Sequence, residues 1–178
     1  MKKFNELILT FFYFGKVKKA PGTFASIGAV IFWILITIFF LKNNISNLLQ
    51  NIFWILLNLA LTIHAIISIP QYSKRFKEVD HKSIVIDEFV GQTICLQIVF
   101  LLGGHFQEIF DINVVIKILF CFILFRLLDI TKPSIIGYCD KKIKNGFGVM
   151  LDDIISGIIS GLLILVFIFI FYYTKSNL

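Results

Sequence analysis

FRLLDITKPSIIGYCDKKIKNGFGVMLDDIISGIISG, residues Phe125 to Gly161, sets Arg126, Asp129, Lys132, Asp140, Asp152 and Asp153 between two strongly apolar runs. A charge at the centre of a membrane helix costs roughly 2.5–3.5 kcal/mol on insertion scales, so a cluster at the edge of such runs implies a use. The rest of the chain bears out the membrane setting. Of its 178 residues 58% are hydrophobic, and mean hydropathy is +0.89. Soluble domains hold about 45–50% apolar residues. The fold class is therefore all-α, a polytopic helical bundle forming a single membrane-embedded domain over residues 1–178.

Five apolar segments are expected to span. Phe24–Leu41 carries no charge, Asn51–Ile69 closes at Pro70, and Glu88 to about Leu102 ends at Gly103–Gly104. Asp111–Phe125 and the following turn are interrupted by Lys117, and Ile154–Tyr173 ends on the aromatic pair Tyr172–Tyr173. About 20 apolar residues cross a bilayer, and tilt accommodates the longer segments. The N-terminal stretch opens Lys2–Lys3 like a signal peptide. Its apolar core, Leu7–Phe14, is short, and Lys16, Lys18 and Lys19 stand where a cleavage site would fall. It is read as a retained short interfacial helix with Glu6 and its lysines facing water.

Charge gives the orientation. Fourteen of the 17 Lys/Arg residues fall in the N-terminal stretch and in the loops after the second and fourth spans, whereas the opposite loops offer only Lys42. By the positive-inside rule the basic face is cytoplasmic. These short basic loops suit anionic lipid better than nucleic acid, which is excluded as a partner. The three cysteines are odd in number and far apart, so no disulfide framework or zinc site follows, and Cys95 and Cys121 read as buried apolar residues.

The chemistry-bearing residues converge on that same face. In VDHKSIVIDEFVG, Val79–Gly91, Asp87 and Glu88 stand at the mouth of the third span. One acid there complements the helix dipole. Two adjacent acids repel unless a cation lies between them, and Mg²⁺ is typically held by one or two carboxylates together with substrate phosphate. Arg126 and Asp129, three apart, share a helix face and can pair. Lys132–Pro133 breaks that helix and frees the lysine as a phosphate-binding charge. The loop Asn145-Gly146-Phe147-Gly148 leads into Asp152–Asp153, one of which fits an N-cap. Ala20-Pro21-Gly22-Thr23 is a turn of low specificity on the same side. His64 reads as a hydrogen-bonded residue within its span, and His105 lies on the opposite face, so both are left out of the site. No P-loop is present. Together the clusters describe a membrane-surface site for a phosphorylated lipid.

Three pieces, in this order and spacing, resemble the phosphatidylglycerophosphatase A family: APGTFAS at Ala20–Ser26, DHKSIVIDEFVG at Asp80–Gly91, and FRLLDITKPSIIGYCDKKIKNGFGVMLDDIISG at Phe125–Gly157. The chain departs from the family's usual pattern at Ser134-Ile135, where a second proline is common, and at Asn145, where a glycine is. Neither change removes a charge. The resemblance implies a bacterial inner-membrane, Mg²⁺-dependent phosphatase that converts phosphatidylglycerophosphate to phosphatidylglycerol and inorganic phosphate, with its active site facing the cytoplasm. On that reading Asp87, Glu88, Asp129, Asp152 and Asp153 are the catalytic, metal-holding carboxylates. Lys82, His81, Arg126, Lys132 and Thr23 are the phosphate and head-group contacts. Water or a carboxylate could serve as nucleophile. The alternatives are a small transporter or ion pathway using the interfacial carboxylates, and a phosphatase of another lipid phosphate such as phosphatidic acid. Nothing in the sequence sets the oligomeric state.

Overall fold

The computed structural model describes residues 2–76, 78–102 and 112–176. Seven α-helices make up this part of the chain, with no strand among the described residues. They are α1 (Lys2–Leu9), α2 (Pro21–Lys42), α3 (Asn47–Ser73), α4 (Ile86–Leu102), α5 (Ile112–Thr131), α6 (Ser134–Lys142) and α7 (Gly146–Ser176). Residues 103–111, with Gly103–Gly104 and His105, and Lys77 and the Tyr172 side chain lie outside what is described.

α2, α3 and α7 are long and apolar enough to cross a membrane. At about 1.5 Å per residue, the 22 residues of α2 reach roughly 33 Å, a little more than a hydrocarbon core of about 30 Å. α4 is described over 17 residues, and α5, at 20, carries Lys117, Arg126 and Asp129.

α4 is the axis of the bundle. It packs against α2, α3, α5 and α7. Between Ser83 and Phe100 only Glu88, Ile94 and Ile98 escape full burial, so the polar side chains Gln92, Thr93 and Gln97 of α4 are buried along with its apolar ones. The surrounding helices are apolar outward as well. Phe24, Ile27, Ile31, Leu35 and Phe39 line the outer face of α2 at helical spacing, and Ile55, Leu59, Ile63 and Ile67 do the same on α3. In water such a surface would drive association; in a bilayer it meets acyl chains.

Small residues set how closely α4 and α7 approach. A β-carbon on Gly91 would meet the Asp153 carbonyl oxygen and the Phe125 ring at 2.6 Å, and one on Gly157 would overlap the Gly91 carbonyl. One turn on, Gly161 faces Ile98 Cβ at 2.9 Å. Lipid gives helices little hydrophobic reason to associate, so close backbone contact of this kind supplies the packing.

Several local expectations change. α3 runs through Pro70 to Ser73 instead of ending there. Pro70 has no N–H for the Ile66 carbonyl, and it is against this carbonyl that Gly146, the first residue of α7, packs. Gly146–Gly148 form the first turn of α7 and not a loop. Asn145 Oδ1 accepts the Gly148 N–H at 3.0 Å, so the cap is Asn145 and neither aspartate. The N-terminal stretch does form α1, with Glu6 paired to Lys16 at 2.7 Å and Arg75 at 3.5 Å. It then dives into the bundle: Leu9 and Phe11 are buried, Leu9 O accepts the Val85 N–H at 3.0 Å, and the Phe11 and Phe89 rings lie 4.5 Å apart. Cys95, Cys121 and Cys139 are all free and buried. His64 is half-buried and shares a 3.4 Å hydrogen bond with Ser68.

Candidate active site

α4 and α7 run parallel, Gly91 beside Gly157 and Ile98 beside Gly161, so the starts of these helices share one end of the bundle with the start of α2 and the end of α5. Asp87 and Glu88 occupy the first turn of α4. Asp152 and Asp153 sit seven and eight residues into α7, and the Gly91–Gly157 contact brings this turn beside α4. The result is a cavity of about 290 Å³ lined by Glu78, Asp80, Lys82, Ile84, Asp87, Glu88, Asp129, Lys132, Asp152 and Asp153. All five carboxylates expected from the sequence therefore face one space.

The structure divides those five. Asp87, Glu88 and Asp153 each offer an oxygen within 4.8 Å of the others, and among the described residues none of the three makes an ion pair. Asp129 is bound by Arg126, three residues earlier on α5, and Asp152 by Lys132 at 2.6 Å. With all three ionised and no cation between them, oxygens at 4.8 Å would repel by roughly 3–4 kcal/mol per pair at the effective dielectric of a protein surface. Glu88 Oε2 and Asp152 Oδ1 are moreover buried without a hydrogen-bond partner. Clustered acceptor-only oxygens, two of them orphaned, fit a hard divalent cation such as Mg²⁺.

The flanking cations are held by backbone geometry. Lys132 follows the last turn of α5, its N–H bonded to Leu128 O at 2.8 Å, in the left-handed region with φ 43°. Ser134, just past Pro133, has φ 48°. Such conformations cost on the order of 1–3 kcal/mol for residues other than glycine and persist where the surroundings impose them. Here Lys132 Nζ is anchored at 2.6 Å to both Asp140 Oδ1 on α6 and Asp152 Oδ2 on α7. Burial works against its charge, but those two hydrogen bonds prevail and hold its pKa above the ordinary lysine range. It remains an ammonium at any physiological pH.

Gly22 gives the Ala20–Thr23 turn its role. Pro21 opens α2 at its first position, after Ala20 in the left-handed region, so that Gly22 lies against the Glu88 carboxylate. A β-carbon there would overlap Glu88 Oε1 and lie 3.4 Å from Arg126 Nη1. Thr23 is half-buried and does not line the cavity; Lys82 is exposed and does. His81 is turned to other work: its ring stacks on Phe76 at 3.6 Å and its Nδ1 shares a 2.8 Å hydrogen bond with Ser83. Asp140, counted in the charge cluster, had no role legible in the sequence, and neither had the close approach of Gly22, because each acts through a helix, α6 or the first turn of α2, that sequence patterning reads as loop.

Comparison with known proteins gives the family. The family model described as Phosphatidylglycerophosphatase A matches residues 7–168. This chain belongs to that family. Two curated relatives carry the same name. One, from Escherichia coli (strain K12), is 33% identical over 140 residues, 79% of this chain and 69% of its own length. The other, from Haemophilus influenzae, is 33% identical over 153 residues, 86% of this chain and 82% of its own. No solved structure matches the chain. In this phosphatidylglycerophosphatase A family member, the second and third of the pieces that carry the resemblance supply Asp87, Glu88, Asp129, Lys132, Asp152 and Asp153 to the cavity, while Gly22 and Arg126 do not line it and lie behind Glu88 and Asp129.

Proposed function

We propose that the protein hydrolyses the terminal phosphate monoester of phosphatidylglycerophosphate, giving phosphatidylglycerol and inorganic phosphate, with Mg²⁺ as cofactor. The observation that carries this is the unpaired trio Asp87, Glu88 and Asp153, flanked by Arg126 and Lys132, at one end of a membrane bundle. The names of the 33% identical relatives support the substrate.

Asp87, Glu88 and Asp153 would hold the metal, with Asp152 and Asp129 beside it. When bound, Mg²⁺ would polarise the phosphoryl oxygens and lower the pKa of the attacking water. The chain's own groups do the rest. Arg126 and Lys132 offset the negative charge spread over the phosphoryl oxygens as the bond to the glycerol oxygen lengthens. The carboxylates accept the proton of the water as its oxygen bonds to phosphorus, and the glycerol oxygen leaves and is protonated from solvent. Apolar outer faces hold the acyl chains level with the site, so the lipid stays in the bilayer.

On this reading α4 and α5 also span, making five transmembrane helices. The basic end faces the cytoplasm from the inner membrane, as the charge distribution favours. In membranes from cells overproducing the chain, phosphatidylglycerophosphate should be depleted and phosphatidylglycerol formed at an increased rate, and Asp87→Asn should abolish both changes. Unchanged lipid turnover with a folded, membrane-inserted protein would refute the proposal.

A further inference from the structure

Lys132 poses a problem for a site that binds metal. Its ammonium lies 2.6 Å from Asp152 Oδ2, while the other oxygen of that carboxylate is buried without a partner. A lysine left to itself would settle fully on Asp152, whose side chain is only 5% exposed, and lend its positive charge to the inner carboxylates. It is restrained by Asp140, which takes Nζ at the same 2.6 Å from the outer side and is 27% exposed. The restraint is built on α6. Gly137 of this helix packs directly on the Lys132 carbonyl, where a β-carbon would overlap it, and the links either side of Pro133 are both left-handed. Asp140 also lines a second cavity, of about 450 Å³, which shares Glu78 and Asp80 with the carboxylate cavity.

We propose that Asp140 is a positioning residue: by holding Lys132 outward, it keeps the inner carboxylates available to a divalent cation and the ammonium available to the substrate phosphate. Asp140 touches neither metal nor phosphate; it acts through Lys132. The inference rests on the metal site proposed above.

The test measures Mn²⁺ binding to the detergent-purified full chain by the loss of the free-ion electron paramagnetic resonance signal, which requires no turnover. Four proteins are compared: wild type, Asp140→Asn, Lys132→Met and the double variant. Asp140→Asn should weaken Mn²⁺ binding by about tenfold, the lower end of what loss of a supporting partner costs a metal site. In the Lys132→Met background the same substitution should do nothing, because the lysine it controls is gone. Asp140→Glu, which keeps the carboxylate, should restore binding toward wild type. An equal loss with and without Lys132 would mean a merely structural role and would overturn the proposal, as would an Asp140→Asn affinity equal to wild type, or a wild type that binds no Mn²⁺. Phosphate release from phosphatidylglycerophosphate by the wild type is scored separately. Release with an unaffected Asp140→Asn would leave the reaction standing and remove Asp140, whereas metal coupling without release would remove the reaction and keep Asp140.

Discussion

Asp153 is the residue on which two helices' chemistry depends. It sits on α7, yet its ligand atom lies within 4.8 Å of those of Asp87 and Glu88 on α4. Replacing it by Asn keeps the shape and removes one charge from the trio. Turnover should fall by about 10²–10³-fold, the usual cost of deleting one electrostatic stabiliser, while the thermal transition in detergent holds or rises because a like-charge repulsion is relieved. A wild-type rate in Asp153→Asn would take it out of the metal site. Lys132→Ala should behave in the opposite way. Losing the ammonium strands Asp140 and the buried Asp152 together, and breaking a buried pair from one side costs roughly 3–5 kcal/mol, discounted here because Lys132 and Asp140 are part exposed. A lowered melting temperature is the readout. At this scale the sequence was informative about the carboxylates, because paired acids beside apolar runs have few innocent explanations. It could not separate the trio from the two ion-paired acids, since that division depends on which cation each meets in space. His81 and Thr23 looked equivalent to Lys82 in the chain and differ only in where the fold turns them.

Among the elements, the α4–α7 contact decides whether the trio exists. Gly91→Ala would put a β-carbon 2.6 Å from the Asp153 carbonyl, and this neighbour is backbone, so one helix must move. Overpacking of this kind costs typically 1–3 kcal/mol. The variant should melt earlier and also lose Mg²⁺-dependent activity, although no carboxylate has been touched. Wild-type activity together with wild-type stability would mean that the contact does not set the site. Hydropathy identified α2, α3 and α7, whose runs are unbroken. It missed α6, whose nine residues, Ser134–Lys142, include Asp140, Lys141 and Lys142. It also began α7 too late, because Gly146 and Gly148 look like loop until Asn145 is seen to cap them. Pro70 misled in the same way, because a proline reads as a stop although a helix can pass through one where tertiary packing supplies other contacts.

For the molecule as a whole, the arrangement explains why a chain this apolar carries most of its charges at one end. α4 is shielded by its neighbours, and the outer faces of α2 and α3 are left to lipid. The site opens at the end where the basic loops gather. Single cysteines at Lys82 and Ser134 should react with a membrane-impermeant maleimide only from the cytoplasmic side, and one at Asn44, between α2 and α3, only from the other. Labelling of Lys82 and Asn44 from the same side would refute the orientation. The central claim is that the carboxylate trio holds a divalent cation for phosphomonoester hydrolysis. Its most direct test is phosphate release by the detergent-purified protein from phosphatidylglycerophosphate and, in parallel, phosphatidic acid, each with Mg²⁺ and with a chelator. Release from phosphatidylglycerophosphate that requires Mg²⁺, stops with chelator and returns on adding Mg²⁺ back is the predicted result. Release undiminished by chelation, or none from either lipid by folded protein, would contradict it.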